Sequence, residues 1–347
     1  MPRVGSGRLT QFATAIFESL GTPADIADEV AKSLVSADLS GHPSHGVIRI
    51  VGETGYVNFV RNGMVEPAGR PEAIQRDGAT AMVDGNWGFG HTAAAFATRL
   101  AAELARKHGI SMVGVYRSNH MGRLGLWAEM AAEEGIILLM SLGGSGWFGG
   151  TPYGGAARAL ATNPFAAAVP AGERDPMIVD FATMSSAEGK VRLALTTGKR
   201  LPEGQILDKD GNPSTDPADL YEGGMLLPFG GHKGSALAIL MEALGSCLTG
   251  AESTEKISKE GAILIGIDPA RFRDRASYDE AATGLFERIE AVPPAPGFEE
   301  VMLPGEPERR ARARGAAGGV EIAPEIFEAL RDIALELDVA PDLLSER

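Results

Sequence analysis

Beginning near residue 71, the chain alternates between two apolar periods, and no other feature constrains its fold as tightly. "TAMVDG" reads as a strand, "HTAAAFATRLAAELARK" as a helix and "ISMVGVY" as a strand; "GLWAEMAAEE" is then a helix and "GIILLMSLGG" a strand. Switching from a period of two to one of 3.6 and back predicts an α/β layer, a sheet covered by helices. Later, "KGSALAILMEALGSCLTG" has the texture of an apolar helix, "AILIGI" of a strand and "YDEAATGLFERIEAV" of an amphipathic helix. Between them, "GGSGWFGGTPYGG" to "TNPFAAAVPAGERDPMIVDFAT" is rich in glycine and proline with short apolar strands. "LPEGQILDKDGNPSTDPADL" reads as an exposed loop with turn signals at "DKDGNPS".

The flanks follow the helical period alone. Leu9, Phe12, Ile16, Phe17 and Leu20 predict a helix stopped by Gly21, and Thr22 is the expected N-cap of a second with Pro23 at its first position, ending at Gly41. A third helix is expected to carry Val47, Ile50 and Val51. Near the other end Ile326, Leu330, Ile333 and Leu337 share one helix face. A chain of 347 residues exceeds the ~250–300 at which single cores stop growing. Two lobes are therefore expected: a helical one from residues 1–70 with 318–347, and an α/β one from 71–317. The basic run "ERRARARG" reads as a solvated loop.

Composition excludes several function classes. A formal charge of -14 argues against nucleic acid, whose phosphates want a basic face. No run approaches the ~18 apolar residues of a membrane span, and the start lacks an apolar signal core. The single cysteine, Cys247, rules out an intramolecular disulfide and a cysteine metal cage. A cytoplasmic protein with a small-molecule partner is the expectation.

Chemistry-bearing residues concentrate in "GHPSHGVIRI". His42 and His45 could ligate a metal, but no spacing supplies a third ligand, so no metal is expected. Ser44 beside His45 suggests a nucleophile and its base, though the chain has no G-x-S-x-G elbow, and Ser44 serves equally as a helix N-cap. On a helix, His45 and Arg49 would share one face. There the guanidinium would grip a carboxylate and the imidazole would exchange a proton. "GFGHTA" fits a dinucleotide-binding turn, yet the next strand runs into Arg117 and Ser118 rather than an acidic residue, so a tight turn without ligand is the stronger reading. "RSNHMGRLG" puts His120 between a strand and a helix. Asn163, Asp180 and Thr183 fall at strand ends, glycines surround His232 and Lys233 in "FGGHKG", and "LPGE" ends another strand.

Taken in order, "GHPSHGVIRI", "GNWGFGH", "SNHMGRLG", "ATNPFAAAVP", "VDFATMSSAEGK", "LPEGQILDKDGNPSTDP", "LPFGGHKGSALA" and "LPGE" resemble the malate/L-lactate dehydrogenase family that is unrelated to the Rossmann lactate dehydrogenases. That family includes ureidoglycolate, sulfolactate and diketogulonate enzymes and cyclic-imine reductases. The resemblance implies a non-Rossmann, L-sulfolactate dehydrogenase-like α/β fold with a mixed sheet, a helical N-terminal lobe joined by the C-terminal helix, and a homodimer. It implies hydride transfer between NAD or NADP and C2 of a small 2-hydroxy or 2-oxo acid. A cyclic imino acid is the alternative substrate, and a Ser-His-Asp hydrolase the alternative from another class. Arg49 would hold the substrate carboxylate. The proton carrier would be either His45, supported by Ser44 and Asp180, or His120, with a pKa near neutrality. The cofactor would meet His120, Met121, Gly122, Arg123 and Leu124; Asp180, Phe181, Ala182 and Thr183; Lys233; and Pro304, Gly305 and Glu306. The chain departs from the family at Ser235 and Met121, where aromatics are usual, and at Tyr56, which follows Arg49 by seven positions rather than about four. These departures bear on substrate identity.

Overall fold

The computed structural model describes residues 1–144, 149–196, 198–254 and 260–344. Of the glycine-rich stretch expected to carry short strands, 145–148 lie outside the described residues. The elements, in order, are β1 (Arg3–Val4), α1 (Ser6–Ser19), α2 (Ala24–Leu39), α3 (Tyr56–Arg61), β2 (Glu72–Asp77), β3 (Thr80–Asp84), α4 (Gly90–His108), β4 (Ile110–Tyr116), α5 (Leu124–Glu133) and β5 (Ile137–Gly143). They continue with β6 (Phe165–Ala171), β7 (Arg174–Phe181), α6 (Glu188–Thr196), β8 (Ile206–Leu207), β9 (Pro213–Ser214), α7 (Pro217–Tyr221), β10 (Met225–Leu226), α8 (His232–Glu242), β11 (Gly261–Ile267), α9 (Arg275–Glu290), α10 (Glu306–Gly318), β12 (Val320–Glu321) and α11 (Pro324–Glu336).

The main sheet has seven strands in the order β2-β3-β4-β11-β5-β6-β7. Only β3 and β4 pair in parallel, across the α4 crossover; every other pairing is antiparallel. This is a mixed sheet, not the parallel one of a dinucleotide-binding fold. Helices α4 and α5 cover it, and Ala94, Leu100, Val113, Trp127, Leu138 and Leu264 belong to the core between them. A second apolar cluster joins both ends of the chain, since Leu9, Phe12, Phe17 and Leu34 share it with Leu330, Ala334 and Leu344. Strand β1 pairs with β12 beside it.

Register fixes where chemistry can gather. Asp84 pairs with Tyr116, Val115 with Ala262, Gly143 with Gly261, Ser141 with Phe165, and Phe165 with Phe181. The ends of β3, β4, β5 and β7 and the starts of β6 and β11 thus lie along one edge of the sheet. The His120 loop, Asp180 at the end of β7 and Glu260 just before β11 all lie at that edge.

Several local expectations are corrected. Helix α2 starts at Ala24 with Pro23 as its N-cap, one residue later than expected, and Thr22 caps nothing. The third helix is replaced by two 3-10 turns, Pro43–His45 and Val47–Ile50, before the short α3, because Pro43, Gly46, Gly52 and Gly55 interrupt any longer ladder. The "LPEGQILDKDGNPSTDPADL" segment is more than a loop. It holds β8, β9 and α7, with Ile206 and Leu207 buried and Asp208 Oδ1 accepting from the Asp210 and Asn212 amides at the turn. "ERRARARG" lies in helix α10, with Glu306 and Glu308 in its first turn. "LPGE" ends no strand; it is the turn into α10, and Pro304 O accepts from the Ile178 amide of β7.

Candidate active site

The "GHPSHGVIRI" segment is held by the end of α2. Asp38 Oδ2 accepts from the Val47 amide at 2.9 Å, and a Cβ at Gly46 would collide with the same carboxylate. Asp38, not Ser44, therefore satisfies the turn's amides. Burial pushes the Asp38 carboxyl up to about 7, with the Val47 bond pulling it partly back.

Ser44 Oγ and His45 Nδ1 are hydrogen-bonded at 3.0 Å, while Arg49 Nε donates to Ser44 O at 2.7 Å. A single turn thereby orients both the imidazole and the guanidinium, although no regular helix is present. The first turn of α6 covers Ser44, where a Cβ at Gly189 would lie 2.9 Å from Ser44 Cβ. His42 turns away, with Nε2 3.0 Å from Glu308 Oε1 on α10.

His120 arrives from the β4–α5 loop and lies against His45, the rings 5.5 Å apart at 21°. Tyr56, at the start of α3 and 2% exposed, bonds through its hydroxyl to His120 Nδ1 at 2.6 Å. His91 meets Tyr56 edge to face at 5.4 Å and His120 at 6.5 Å. Both ring nitrogens of His91 are buried without a partner among the described residues. Burial pushes His45 down to about 3, helped by the Arg49 charge, and pushes His91 down to about 3. Burial and then Arg49 hold His120 well below its ordinary value. The near-neutral donor expected from the sequence is therefore not what this pocket holds; buried beside a guanidinium, both imidazoles are neutral.

The Gly-rich turn before α4 is filled by protein. A Cβ at Gly90 would collide with the Asn119 and His120 carbonyls, and one at Gly88 with Gly69 O. Asn119 Nδ2 donates to Trp87 O at 2.9 Å and Gly88 O at 3.0 Å. "GFGHTA" is thus a seat for the His120 loop.

Asp180 Oδ2 accepts from the Gly125 amide at 2.7 Å, at the start of α5. Burial raises its carboxyl, opposed by that bond and by the Arg123 charge. Its direct partner is Gly125, and it makes no bond to His45. Met121, Gly122, Arg123 and Leu124 bring the loop from His120 to Asp180. Phe181, Ala182 and Thr183 continue toward α8, whose first turn closes on them: Phe229 N donates to Thr183 O at 3.0 Å, and the Phe181 and Phe229 rings lie 5.7 Å apart. Lys233 stands in that first turn after Gly230 and Gly231, both at positive φ. Pro304, Gly305 and Glu306 lie against β7, two residues before Asp180 in register. The predicted residues thus form two neighbouring groups, Ser44-His45-Arg49-His120 and the 121–124, 180–183, 233 and 304–306 turns.

Sequence reasoning missed Tyr56 as more than pocket wall, His91, and Glu260, which immediately precedes β11. Glu260 Oε2 is buried with no hydrogen-bond partner among the described residues. Burial pushes the carboxyl up to about 7 against the pull of Arg49.

Comparison with known proteins decides the family. The pattern described as Malate/L-lactate dehydrogenase matches residues 4–331. The chain belongs to this family. It is an oxidoreductase of the dehydrogenase class. An L-lactate dehydrogenase of Cupriavidus necator is 36% identical over 342 residues, covering 95% of this chain and 96% of that one. A Delta(1)-pyrroline-2-carboxylate/Delta(1)-piperideine-2-carboxylate reductase of Pseudomonas putida is 33% identical over 341 residues, covering 95% and 96%. Among solved structures, a putative malate/lactate dehydrogenase from E. coli superposes with a TM-score of 0.90 at 30% identity, covering 99% of this chain and 98% of that one. The mixed α/β fold expected from the sequence is the fold of these relatives. Among the described residues no helix is long and apolar enough to cross a membrane.

Proposed function

We propose that the chain interconverts a small 2-hydroxy acid and its 2-oxo acid, with Arg49 as carboxylate anchor and His120 as proton carrier. The observation that carries this is the convergence of Arg49 with His45 and His120: Ser44 holds both Arg49 and His45, and the His45 ring stacks on His120 at 5.5 Å. Arg49 spends only Nε on Ser44 O, and its terminal nitrogens make no bond among the described residues. They suit the two parallel hydrogen bonds a carboxylate accepts.

The turns around Asp180 fit a nicotinamide dinucleotide. Arg123 Nε and NH1 are buried without partners among the described residues, beside Asp180 at the start of α5. Lys233, with the amides that open the 11-residue α8, suits a pyrophosphate. The dinucleotide, as NAD or NADP, supplies the hydride acceptor or donor. Arg309, Arg310 and Arg312 are each engaged with carboxylates, which leaves them poorly placed for a 2′-phosphate.

The protein's part is proton handling and positioning. In oxidation a neutral His120 takes the hydroxyl proton at Nε2, in the tautomer whose Nδ1–H donates to Tyr56 Oη, and that bond orients the ring. In reduction His120 must be protonated first, and a bound anion on Arg49 favours this by cancelling the charge that holds the imidazole neutral. His45, fixed by Ser44, stacks on His120 and keeps its ring in place. The hydrolase alternative lacks its third member, since Asp180 faces Gly125. Cyclic imino-acid reduction stays as a second reading because the P. putida relative bears that name.

We further infer a cytoplasmic homodimer; the dimer is supported by Ile239, Leu240 and Leu248, each at least half exposed along α8 and its continuation. Light scattering of the purified protein checks it. For the reaction, NADH and NADPH oxidation is followed with pyruvate, oxaloacetate, phenylpyruvate, 2-oxoglutarate and cyclic imines. Arg49→Ala is expected mainly to raise KM for the acid. His120→Ala is expected to cut kcat by about 10²–10⁴. No turnover with any acid or imine refutes the reading.

A further inference from the structure

Glu260 lies at the sheet edge shared by the active-site loops. The next residue, Gly261, pairs with Gly143, and Ala262 pairs with Val115 near the end of β4, the strand that leads into the His120 loop. A Cβ at Gly144 would lie 2.9 Å from Glu260 Cγ, so the side chain runs across the end of β5. Its Oε2 is enclosed without a partner, although the neighbouring Glu242 Oε2 accepts from Gly144 N at 2.9 Å and Asn163 Nδ2 at 2.7 Å. Electrostatically Glu260 answers to Arg49 and acts on Tyr56. Yet Arg49 and Glu260 form no ion pair. Among the described residues, a cation with free terminal nitrogens and a carboxylate oxygen without a partner therefore lie at the same end of the sheet, within reach of one another's charge.

A buried carboxylate oxygen without a partner is costly unless a ligand completes its hydrogen bonding. We propose that Glu260 is a specificity determinant of this site: it receives the end of the substrate remote from the carboxylate on Arg49, favours a hydroxyl or N–H donor there, and rejects a second anion. The inference rests on the 2-oxo acid reading and narrows it to monocarboxylates that carry a donor. Discrimination of this kind works through repulsion as well as attraction. Burial raises the affinity of Glu260 for protons and Arg49 opposes this, so the carboxylate that rejects a second anion is the form present above neutral pH.

The test is kcat/KM of the full-length enzyme for hydroxypyruvate and oxaloacetate, before and after Glu260→Gln. The isosteric amide removes the charge and is expected to move the ratio toward the dicarboxylate by about tenfold, with Glu260→Asp holding the ratio near wild type. Circular dichroism and the urea midpoint report folding of each variant. A ratio left unchanged by Glu260→Gln, or moved toward hydroxypyruvate, overturns the inference while the dehydrogenase reading stands. If Glu260→Gln does not fold, Glu260→Asp carries the test: a wild type that prefers oxaloacetate to hydroxypyruvate refutes the inference, as does Glu260→Asp shifting toward oxaloacetate. A wild type inactive on every 2-oxo acid refutes both readings together.

Discussion

Tyr56 shows how much one hydroxyl can decide in a buried pocket. Its bond to His120 Nδ1 is the strongest constraint on that ring, because the other close neighbours, His45 and His91, only pack against it. Burial raises the phenol well above its ordinary value, so Tyr56 stays neutral and can accept from Nδ1–H. Tyr56→Phe keeps the packing and removes one hydrogen bond, typically worth ~0.5–1.5 kcal/mol, so kcat should fall up to about tenfold with KM little changed. An unchanged kcat would show that the ring is oriented without this bond. His91 gives a different prediction. Its folded pKa of about 3 lies below the ordinary 6.5, so the unfolded chain binds the extra proton. The stability it contributes is full above pH 6.5 and is lost as pH falls toward 3. Urea unfolding as a function of pH should show a slope for His91→Leu shallower by up to about 1.4 kcal/mol per pH unit in that window. Asp38 works in the opposite sense: with its pKa raised to about 7, its share is present below 3.8 and lost as pH rises through 7. Comparing the variant with wild type isolates the histidine.

Helix α4 links the fold to the site, because its first turn is where the His120 loop rests. Gly90→Ala would drive a methyl group into the Asn119 and His120 carbonyls, and neither can yield without shifting the loop. Overpacking of this kind costs ~1–3 kcal/mol, so the urea midpoint should fall and kcat with it. A variant equal to wild type in both would deny the loop's dependence on this seat. The same element marks how far sequence could be read. Strands β3 and β4 and helices α4 and α5 were legible because their apolar periods are long and their ends carry glycine. "GFGHTA" was legible as a turn, but which group fills a turn is a tertiary fact. Val47 and Ile50 misled, since a spacing of three suits a 3-10 turn as well as a helix, and Pro43 and Gly46 decide between them. Helix α10 was misread because its arginines look solvated until Arg309, Arg310 and Arg312 are seen to meet Asp175, Glu300 and Glu129. Glu260 was beyond reach: it comes to the sheet edge of the His120 loop only because β11 inserts between β4 and β5, and no local pattern encodes strand order.

At the scale of the molecule, α10 is the member that braces the site from outside. It meets the end of α2 through His42 and Glu308, where Ala311 Cβ also backs Gly41, and meets β7 where Arg309 NH1 donates to Pro176 O at 3.0 Å. Its most consequential contact is Arg312, which donates to Glu129 Oε2 on α5 at 2.8 Å. Glu129 is 6% exposed and also pairs with Arg123, 3% exposed, at 3.4 Å. One buried carboxylate thus ties the outer helix to the arginine beside Asp180, where the dinucleotide is proposed to bind. Removing one partner from such a network leaves uncompensated buried charge, which typically costs ~3–5 kcal/mol. Glu129→Gln should therefore lower stability by an amount of that order and raise KM for the nicotinamide more than KM for the acid. Arg310→Ala, which breaks the exposed pair with Glu300 in the preceding loop and the longer one with Glu306 on the same helix, should cost ~0–1 kcal/mol and leave both constants alone. Denaturant unfolding and steady-state kinetics on the two variants separate the cases. If Glu129→Gln behaves like Arg310→Ala, α10 packs on the surface without supporting the site.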